Sequence, residues 1–87
     1  MIMQNDAKRD VSGVIVKHSL TIAGHRTSIS LERAFWDGLK SVAMDRGVSL
    51  ATLVAEVDAG RGEANLSSAI RVFVLRSAQS SIVAGRA

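Results

Sequence analysis

The residues best placed to do chemistry in this sequence lie within a stretch that has no carboxylate. Arg26, Ser28 and Ser30 occupy every second position of "HRTSISL", so they would share one face of a β-strand. Lys17 belongs to an alternating segment just before them, and no Asp or Glu occurs from residue 11 to residue 31. All four side chains can donate hydrogen bonds, and Lys17 and Arg26 carry positive charge, a combination that favours a polyanionic partner. Ordinary solvated surface is the competing interpretation.

The two histidines offer little catalytic or metal chemistry. His18 and His25 have no cysteine to join them and no clustered carboxylates, which makes a poor metal site. His18 also shares the parity of the inward-facing residues of its segment, so a structural role is expected. No nucleophile elbow, phosphate-binding loop or metal-ligand spacing organises the serines. The sequence therefore predicts no enzyme, no metal and no cofactor.

Two alternating segments predict β-strands. The first runs from Val14 to Ile22 and the second from His25 to Leu31, with apolar side chains at every second position. The positions expected to face inward are Val14, Val16, His18, Leu20, Ile22, Thr27, Ile29 and Leu31. One face of each strand should therefore be buried, and the other should be polar and exposed.

A short turn joins these strands into a predicted hairpin. Either Ala23-Gly24 or the pair one residue later can form it, because glycine tolerates a positive φ. Leu20 then lies opposite Thr27 or opposite Ile29. Both registers keep the apolar faces together, so the sequence leaves the register open.

The first of three predicted helices runs from about Glu32 to Arg46. Gly47 can take the left-handed conformation that ends a helix. The apolar stripe of this helix consists of Phe35, Leu39, Val42 and Ala43. Trp36 lies one residue off the stripe and is expected to pack against the third helix or the sheet.

Two further helices follow short polar connections. Ser49 is a suitable N-cap for the second helix, which ends around Ala59-Gly60 and has the stripe Leu50, Leu53, Val54 and Val57. Asn65 is the expected cap of the third, which runs to about Ala78. Its apolar residues are Leu66, Ile70, Val72, Phe73, Val74 and Leu75. They cover too wide an arc for a surface helix of a monomer, which predicts a subunit interface.

Size and composition favour an assembly of more than one chain. The 87 residues form one predicted domain, residues 13–78, with a flexible arm at 1–12 and a carboxyl-terminal tail at 79–87. A chain of this size has a marginal core, and the absence of cysteine excludes stabilisation by a disulfide. The apolar fraction is nevertheless 47%. An obligate homodimer is the predicted solution, with a higher oligomer left open.

The same composition bears on location. The lack of cysteine fits a reducing cytoplasm. No apolar run approaches the roughly 20 residues of a membrane span, and "MIMQNDAKRD" is unlike a secretory signal. The expected location is cytoplasmic, without membrane association.

The pattern from Arg26 to Val57, "RTSISLERAFWDGLKSVAMDRGVSLATLVAEV", resembles the core of the ribbon-helix-helix family. It has an alternating strand, a helix, a glycine turn and a capped second helix. The flanking "HSLTIAGHRTSISLE", "FW" and "NLSSAIRVFVL" are similar to a mostly uncharacterised bacterial subfamily with an extra amino-terminal strand. The resemblance covers roughly residues 15–76. It implies an α+β, mainly α fold in an intertwined homodimer, with an added hairpin strand and a third helix.

For function, the resemblance implies a dimeric DNA-binding protein, often a transcription regulator or an antitoxin. Paired strands enter the major groove in this family, so that Arg26, Ser28 and Ser30 would contact base edges. Lys17 would add a cation on the neighbouring strand. Ser49 and the free N–H groups of Leu50 and the residue after it would hold a backbone phosphate.

The added strand leaves two interpretations open. Four strands would span three spacings, roughly 14 Å, whereas the major groove is about 12 Å wide. Either the first strand stands aside, or the sheet does not enter the groove in the usual way. The alternative function is a protein-interaction module, antitoxin-like or a structural dimer, with the tail as one candidate binding segment.

Overall fold

Two antiparallel strands and three helices make up the protein in a computed structural model that describes residues 10–86, with side chains as far as residue 80. The elements are β1 (Ile15–Ile22), β2 (His25–Glu32), α1 (Arg33–Arg46), α2 (Leu50–Gly60) and α3 (Leu66–Arg86). This order confirms the predicted α+β, mainly helical fold with an added strand and a third helix. Residues 1–9 of the predicted arm and Ala87 lie outside the described residues. The intertwined homodimer stays a prediction.

The hairpin turn is formed by the first of the two candidate pairs. Ala23 has a φ of 51° and Gly24 a φ of 85°, the two positive values that a two-residue type I′ turn requires. Leu20 consequently lies opposite Thr27. Five apolar residues of the two strands pack in or against the core, as the alternation predicts: Val16, Leu20, Ile22, Ile29 and Leu31. Val14, which was predicted to face inward, precedes β1 and is 51% exposed, and Ile15 is 56% exposed on the outer side.

The start of α1 is closed by the chain segment that precedes β1. A helix begins with N–H groups that have no partner within the helix. Here the Arg33 N–H donates to the Val14 carbonyl at 2.8 Å, and the Ala34 N–H donates to the Ser12 carbonyl at 3.0 Å. Ser12 is held in turn by the Asp10 carboxylate, which accepts from its N–H and its hydroxyl. The hairpin and α1 therefore form one hydrogen-bonded unit.

The end of α1 and the starts of α2 and α3 follow the predicted capping residues. Gly47 ends α1 with a φ of 69°, and the Val48 N–H donates to the Ala43 carbonyl at 3.0 Å. The Ser49 hydroxyl caps α2, and the Asn65 side-chain oxygen accepts from the Ser68 N–H at 2.8 Å at the start of α3. These local signals set the helix boundaries.

The core lies between the inner face of the hairpin and the three helices. Its buried residues are Ile22, Ile29, Leu31, Trp36, Leu39, Ala43, Leu53, Val54 and Ile70. Trp36 is 2% exposed, whereas Phe35 is only half-buried. The four residues of the predicted α1 stripe therefore lie in or against the core, and Trp36 packs against the sheet, as predicted. The Trp36 indole N–H donates to the Val16 carbonyl at 2.8 Å, and the ring meets His18 edge-on with centroids 4.6 Å apart.

The third helix is longer than its sequence pattern suggested. It continues to Arg86, so residues 79–86 of the expected tail are helical. On its outer side Val72 is 48% exposed and Leu75 is 54% exposed, in agreement with the predicted wide apolar arc. Within residues 10–86, no helix combines the length and the hydropathy that crossing a membrane requires.

Candidate functional site

The outer face of the hairpin collects the polar side chains that the sequence singled out. The register places Lys17 opposite Ser30, Ser19 opposite Ser28, and Thr21 opposite Arg26. All of these side chains are exposed. Lys17, Arg26, Ser28 and Ser30, the predicted hairpin residues, therefore share one surface. We call the three cross-strand pairs together the polar face.

Two members of the polar face were not among the predicted site residues. Ser19 and Thr21 have the same parity as Lys17, which was the available signal, but their neighbours across the sheet depend on the register. The Ser19 and Ser28 hydroxyl oxygens lie 3.3 Å apart, within hydrogen-bond distance. Direct cross-strand pairs of this kind restrict each other's rotamers. Ser28 is therefore held by a residue of the added strand.

The polar face carries two cations and no carboxylate. The next position along β2 on the same side is Glu32, which ends the strand. The Arg71 side chain of α3 donates to the Glu32 carboxylate at 2.8 Å. That hydrogen bond lowers the pKa of the Glu32 carboxyl below its ordinary value. The acid nearest the polar face along β2 is thus already paired, and Lys17 and Arg26 set the electrostatics of this surface.

The backbone of β2 has a free edge beside the polar face. Hydrogen-bonded and non-bonded pairs alternate along an antiparallel ladder. The bond from Arg33 to Val14 continues this ladder and fixes the alternation. The bonded pairs are then Val16–Leu31, His18–Ile29, Leu20–Thr27 and Ile22–His25. The N–H and C=O groups of Arg26, Ser28 and Ser30 consequently point away from β1.

A groove of about 620 Å³ follows this free edge, with α2 and α3 on its other side. Its hairpin wall includes Thr27, Ser28 and Ile29, and its helical wall includes Ser67 and Arg71. The Ser67 hydroxyl donates to the Ser30 carbonyl at 3.0 Å. Within residues 10–80, the outward backbone groups of Arg26 and Ser28 have no hydrogen-bond partner. The groove is thus open beside Ser28 and occupied by α3 at Ser30.

The other predicted contact residues, Ser49 and Leu50, lie on a separate element at the start of α2. The Ser49 hydroxyl accepts from the Thr52 N–H at 3.0 Å and donates to the Thr52 hydroxyl at 2.8 Å. The Leu50 side chain packs against the core. A phosphate at this helix start would therefore be held by the N–H groups of Leu50 and Ala51, with the Ser49 side chain serving as the cap.

The two histidines differ in burial and in their neighbours. His18 is half-buried against Trp36, and His25 is exposed beside the turn. In the part of the chain that the structure describes, no three side chains from His, Cys, Asp and Glu gather as metal ligands would. The geometry of both histidines fits packing and surface roles.

Comparisons with known proteins agree with this architecture. The family model described as a ribbon-helix-helix domain matches residues 15–78. Among solved structures, the chain is similar to an uncharacterized protein from Bordetella pertussis Tohama I, with 30% identity and a TM-score of 0.74. That similarity covers 99% of this chain and 73% of the other. No curated protein matches. Because the family match includes the hairpin, α1, α2 and the first half of α3, the chain belongs to the ribbon-helix-helix domain family.

Proposed function

We propose that the chain is a homodimeric transcription regulator that binds duplex DNA through the polar face of its hairpin. The observation that carries this proposal is the set of three exposed cross-strand pairs, which hold two cations, four hydroxyl groups and no carboxylate. Cations attract the phosphate backbone, and hydroxyl and guanidinium groups hydrogen-bond base edges. Ribbon-helix-helix domains are typical of DNA-binding regulators and antitoxins, which supports the same class of function.

The dimer in this proposal forms when the free edges of two β2 strands pair. Unpaired strand edges are ready templates for another strand, and a two-fold dimer presents the same edge from both chains. The sheet would then read β1, β2, β2 of the second copy, β1 of the second copy. Arg26, Ser28 and Ser30 from both chains would lie in its centre, with Lys17 on the outer strands.

The width of this sheet determines how it can sit on DNA. Three strand spacings amount to about 14 Å, slightly more than the major groove width of about 12 Å. The central strands therefore face the open groove, while the outer strands lie over its two phosphate rims. In this arrangement the long Arg26 side chain reaches base edges, and Lys17 contacts phosphates. Ser49 and the N–H groups of Leu50 would add a backbone phosphate contact.

Two alanine substitutions separate the reading of bases from the binding of phosphates. Arg26→Ala should cost about 1–3 kcal/mol for each base that the guanidinium no longer reaches and should reduce discrimination between sequences. Lys17→Ala should weaken binding to all duplexes alike and make the salt dependence shallower. Titration of a random duplex and of the upstream region of the protein's own gene, at two salt concentrations, measures both effects.

Lys40→Ala is the matched control, because Lys40 is exposed on α1 and its removal changes the net charge by the same amount. It should leave the sequence preference unchanged and alter affinity less than Lys17→Ala. If Lys40→Ala and Lys17→Ala have the same effect, the attraction is a property of net charge, and the polar face is not the contact surface.

A protein-interaction module is the second candidate function. Exposed Val72 on α3 adjoins a groove of about 830 Å³ whose other lining residues include Val42, Val57 and Phe73. If no duplex binds more tightly than about 10⁻⁴ M at physiological salt, the limit of ordinary non-specific binding, this candidate replaces the first. Capture of a partner that Val72→Glu abolishes would then test it.

A further inference from the structure

We propose that the two β2 strands of the dimer pair in one register, with Thr27 directly opposite Thr27 of the second copy. This inference rests on the proposed homodimer and identifies the residue through which the two-fold axis of that dimer passes. The determinant is α3, which occupies one end of the β2 edge through Ser67 and Arg71. The register is therefore a property of the third helix as well as of the strand.

Symmetry reduces the registers to a short series. When two identical strands pair antiparallel about a two-fold axis, one residue must lie opposite its own copy. In β2 the outward N–H and C=O groups belong to Arg26, Ser28 and Ser30, as the alternation of the ladder requires. We call the residue that lies opposite its own copy the centre of the register. Each possible centre requires a different subset of these backbone groups for the hydrogen bonds between the two strands.

Centres at Ser28 or beyond all require the backbone of Ser30. A Ser28 centre bonds Arg26 to Ser30 of the second copy, and an Ile29 centre bonds Ser28 to Ser30. The Ser67 hydroxyl already donates to the Ser30 carbonyl at 3.0 Å. Four residues along α3, Arg71 binds Glu32 at the end of the same strand. These two contacts place α3 where the incoming strand would have to lie.

Centres before Thr27 meet different obstacles. An Arg26 centre sets the two guanidinium groups directly opposite each other, and like charges in that position are destabilising. A His25 centre moves the second copy past the turn, so that Ser28 faces Ile22 of the other β1 strand and its outward groups stay unpaired. Burying unpaired backbone groups costs free energy.

The Thr27 centre has neither obstacle. It bonds Arg26 of each chain to Ser28 of the other and leaves the Ser30 carbonyl to Ser67. The paired residues then run from His25 to Ile29, the stretch of β2 that lines the open groove. Thr27 itself faces inward and is half-buried. Opposite its own copy it would form a close non-bonded pair, a position in which two threonines interact favourably.

Single cysteine substitutions test the register directly, because the natural chain has no cysteine. Directly opposed residues in a non-bonded pair have Cα atoms about 4.5 Å apart, within the range of a disulfide. Among the single-cysteine variants, Thr27→Cys should therefore give the highest yield of covalent dimer under mild oxidation. Ser28→Cys would place its copies on a diagonal about 7–8 Å apart and should cross-link little, as should Ile29→Cys.

A mixed experiment uses only exposed positions, so it does not depend on tolerance at Thr27. Arg26→Cys and Ser28→Cys chains, refolded together, should give a disulfide between the two different chains, whereas each alone should give almost none. Preferential Ser28→Cys or Ile29→Cys homodimers would overturn the register and leave the proposed dimer standing. A single 9.2 kDa species in sedimentation, with no cross-link in any variant or mixture, would overturn the dimer and the register together.

Discussion

At the scale of single residues, the hairpin turn contains one residue, Ala23, whose backbone conformation lowers the stability of the fold. Ala23 takes a φ of 51°, and a left-handed conformation costs an L-residue with a Cβ roughly 1–2 kcal/mol. Asparagine tolerates it better, and Asn-Gly is the preferred type I′ turn. Ala23→Asn should therefore raise the free energy of unfolding by about 0.5–1 kcal/mol. Urea denaturation at a fixed protein concentration measures the change.

Gly24→Ala provides the opposite control, because it places a Cβ at a φ of 85°. It should lower the free energy of unfolding by about 1 kcal/mol or more. Both positions are exposed, so neither change alters packing. An Ala23→Asn variant no more stable than the natural chain would mean that the turn is not type I′ in solution.

At the scale of elements, α1 and α3 approach closely at Gly38. A Cβ at this position would lie 2.6 Å from the Val74 Cγ1 atom. Val74 is β-branched and nearly confined to one rotamer in a helix, so it cannot swing aside. Gly38→Ala gains about 1 kcal/mol in helix propensity and loses about 1–3 kcal/mol to overpacking. The expected result is a net destabilisation of about 1 kcal/mol.

A double-mutant cycle separates the free energy of this contact from the gain in helix propensity at position 38. Adding Val74→Ala to Gly38→Ala removes the clashing atom, so the pair should be more stable than the sum of the two single effects predicts. Chemical denaturation of all four proteins gives the coupling free energy. If the two effects are simply additive, α1 and α3 do not touch at Gly38.

The elements themselves were largely predictable because their signals are local. Strand alternation, the left-handed position of Gly47 and the caps at Ser49 and Asn65 depend only on neighbouring residues. The hairpin register was not predictable, because a turn at Ala23-Gly24 and a turn one residue later both keep the apolar side chains of the two strands on the same face. The choice between the sheet and α3 as the partner of Trp36 was also left open, because its indole N–H donates to the Val16 carbonyl, 20 residues earlier in the chain.

The candidate site shows the same division between local and long-range information. Parity alone places Arg26, Ser28 and Ser30 on one face, and the structure places Lys17 there too. Parity does not give the hydroxyl contact between Ser19 and Ser28, which needs the register. Nor does it show that α3 reaches the β2 edge, because the Ser67 contact to Ser30 joins residues 37 positions apart.

At the scale of the whole molecule, we expect the folded state and the dimer to be inseparable. Sedimentation at low micromolar concentration should give about twice the 9.2 kDa chain mass. Ile29 is 2% exposed on the core face of β2, so Ile29→Asp would bury an unpaired charge beside the strand pairing. That variant should lose its circular dichroism signal altogether and not merely dissociate.

Ser28→Asp is the matched control for this prediction. It adds the same charge one residue away, on the exposed side of the same strand. The fold and the dimer should persist, while DNA binding is lost because the carboxylate repels phosphate. A folded, monomeric Ile29→Asp variant would show that the subunit is stable without its partner.

The bonds from Arg33 and Ala34 to the segment before β1 also have a consequence for motion. The first amides of a helix usually exchange their hydrogens with water quickly, since no carbonyl of the helix protects them. Here they bond to Val14 and Ser12, from which the whole hairpin separates them along the chain. The two amides can exchange when the segment before β1 leaves the start of the helix, so their exchange rates report that opening and give its free energy.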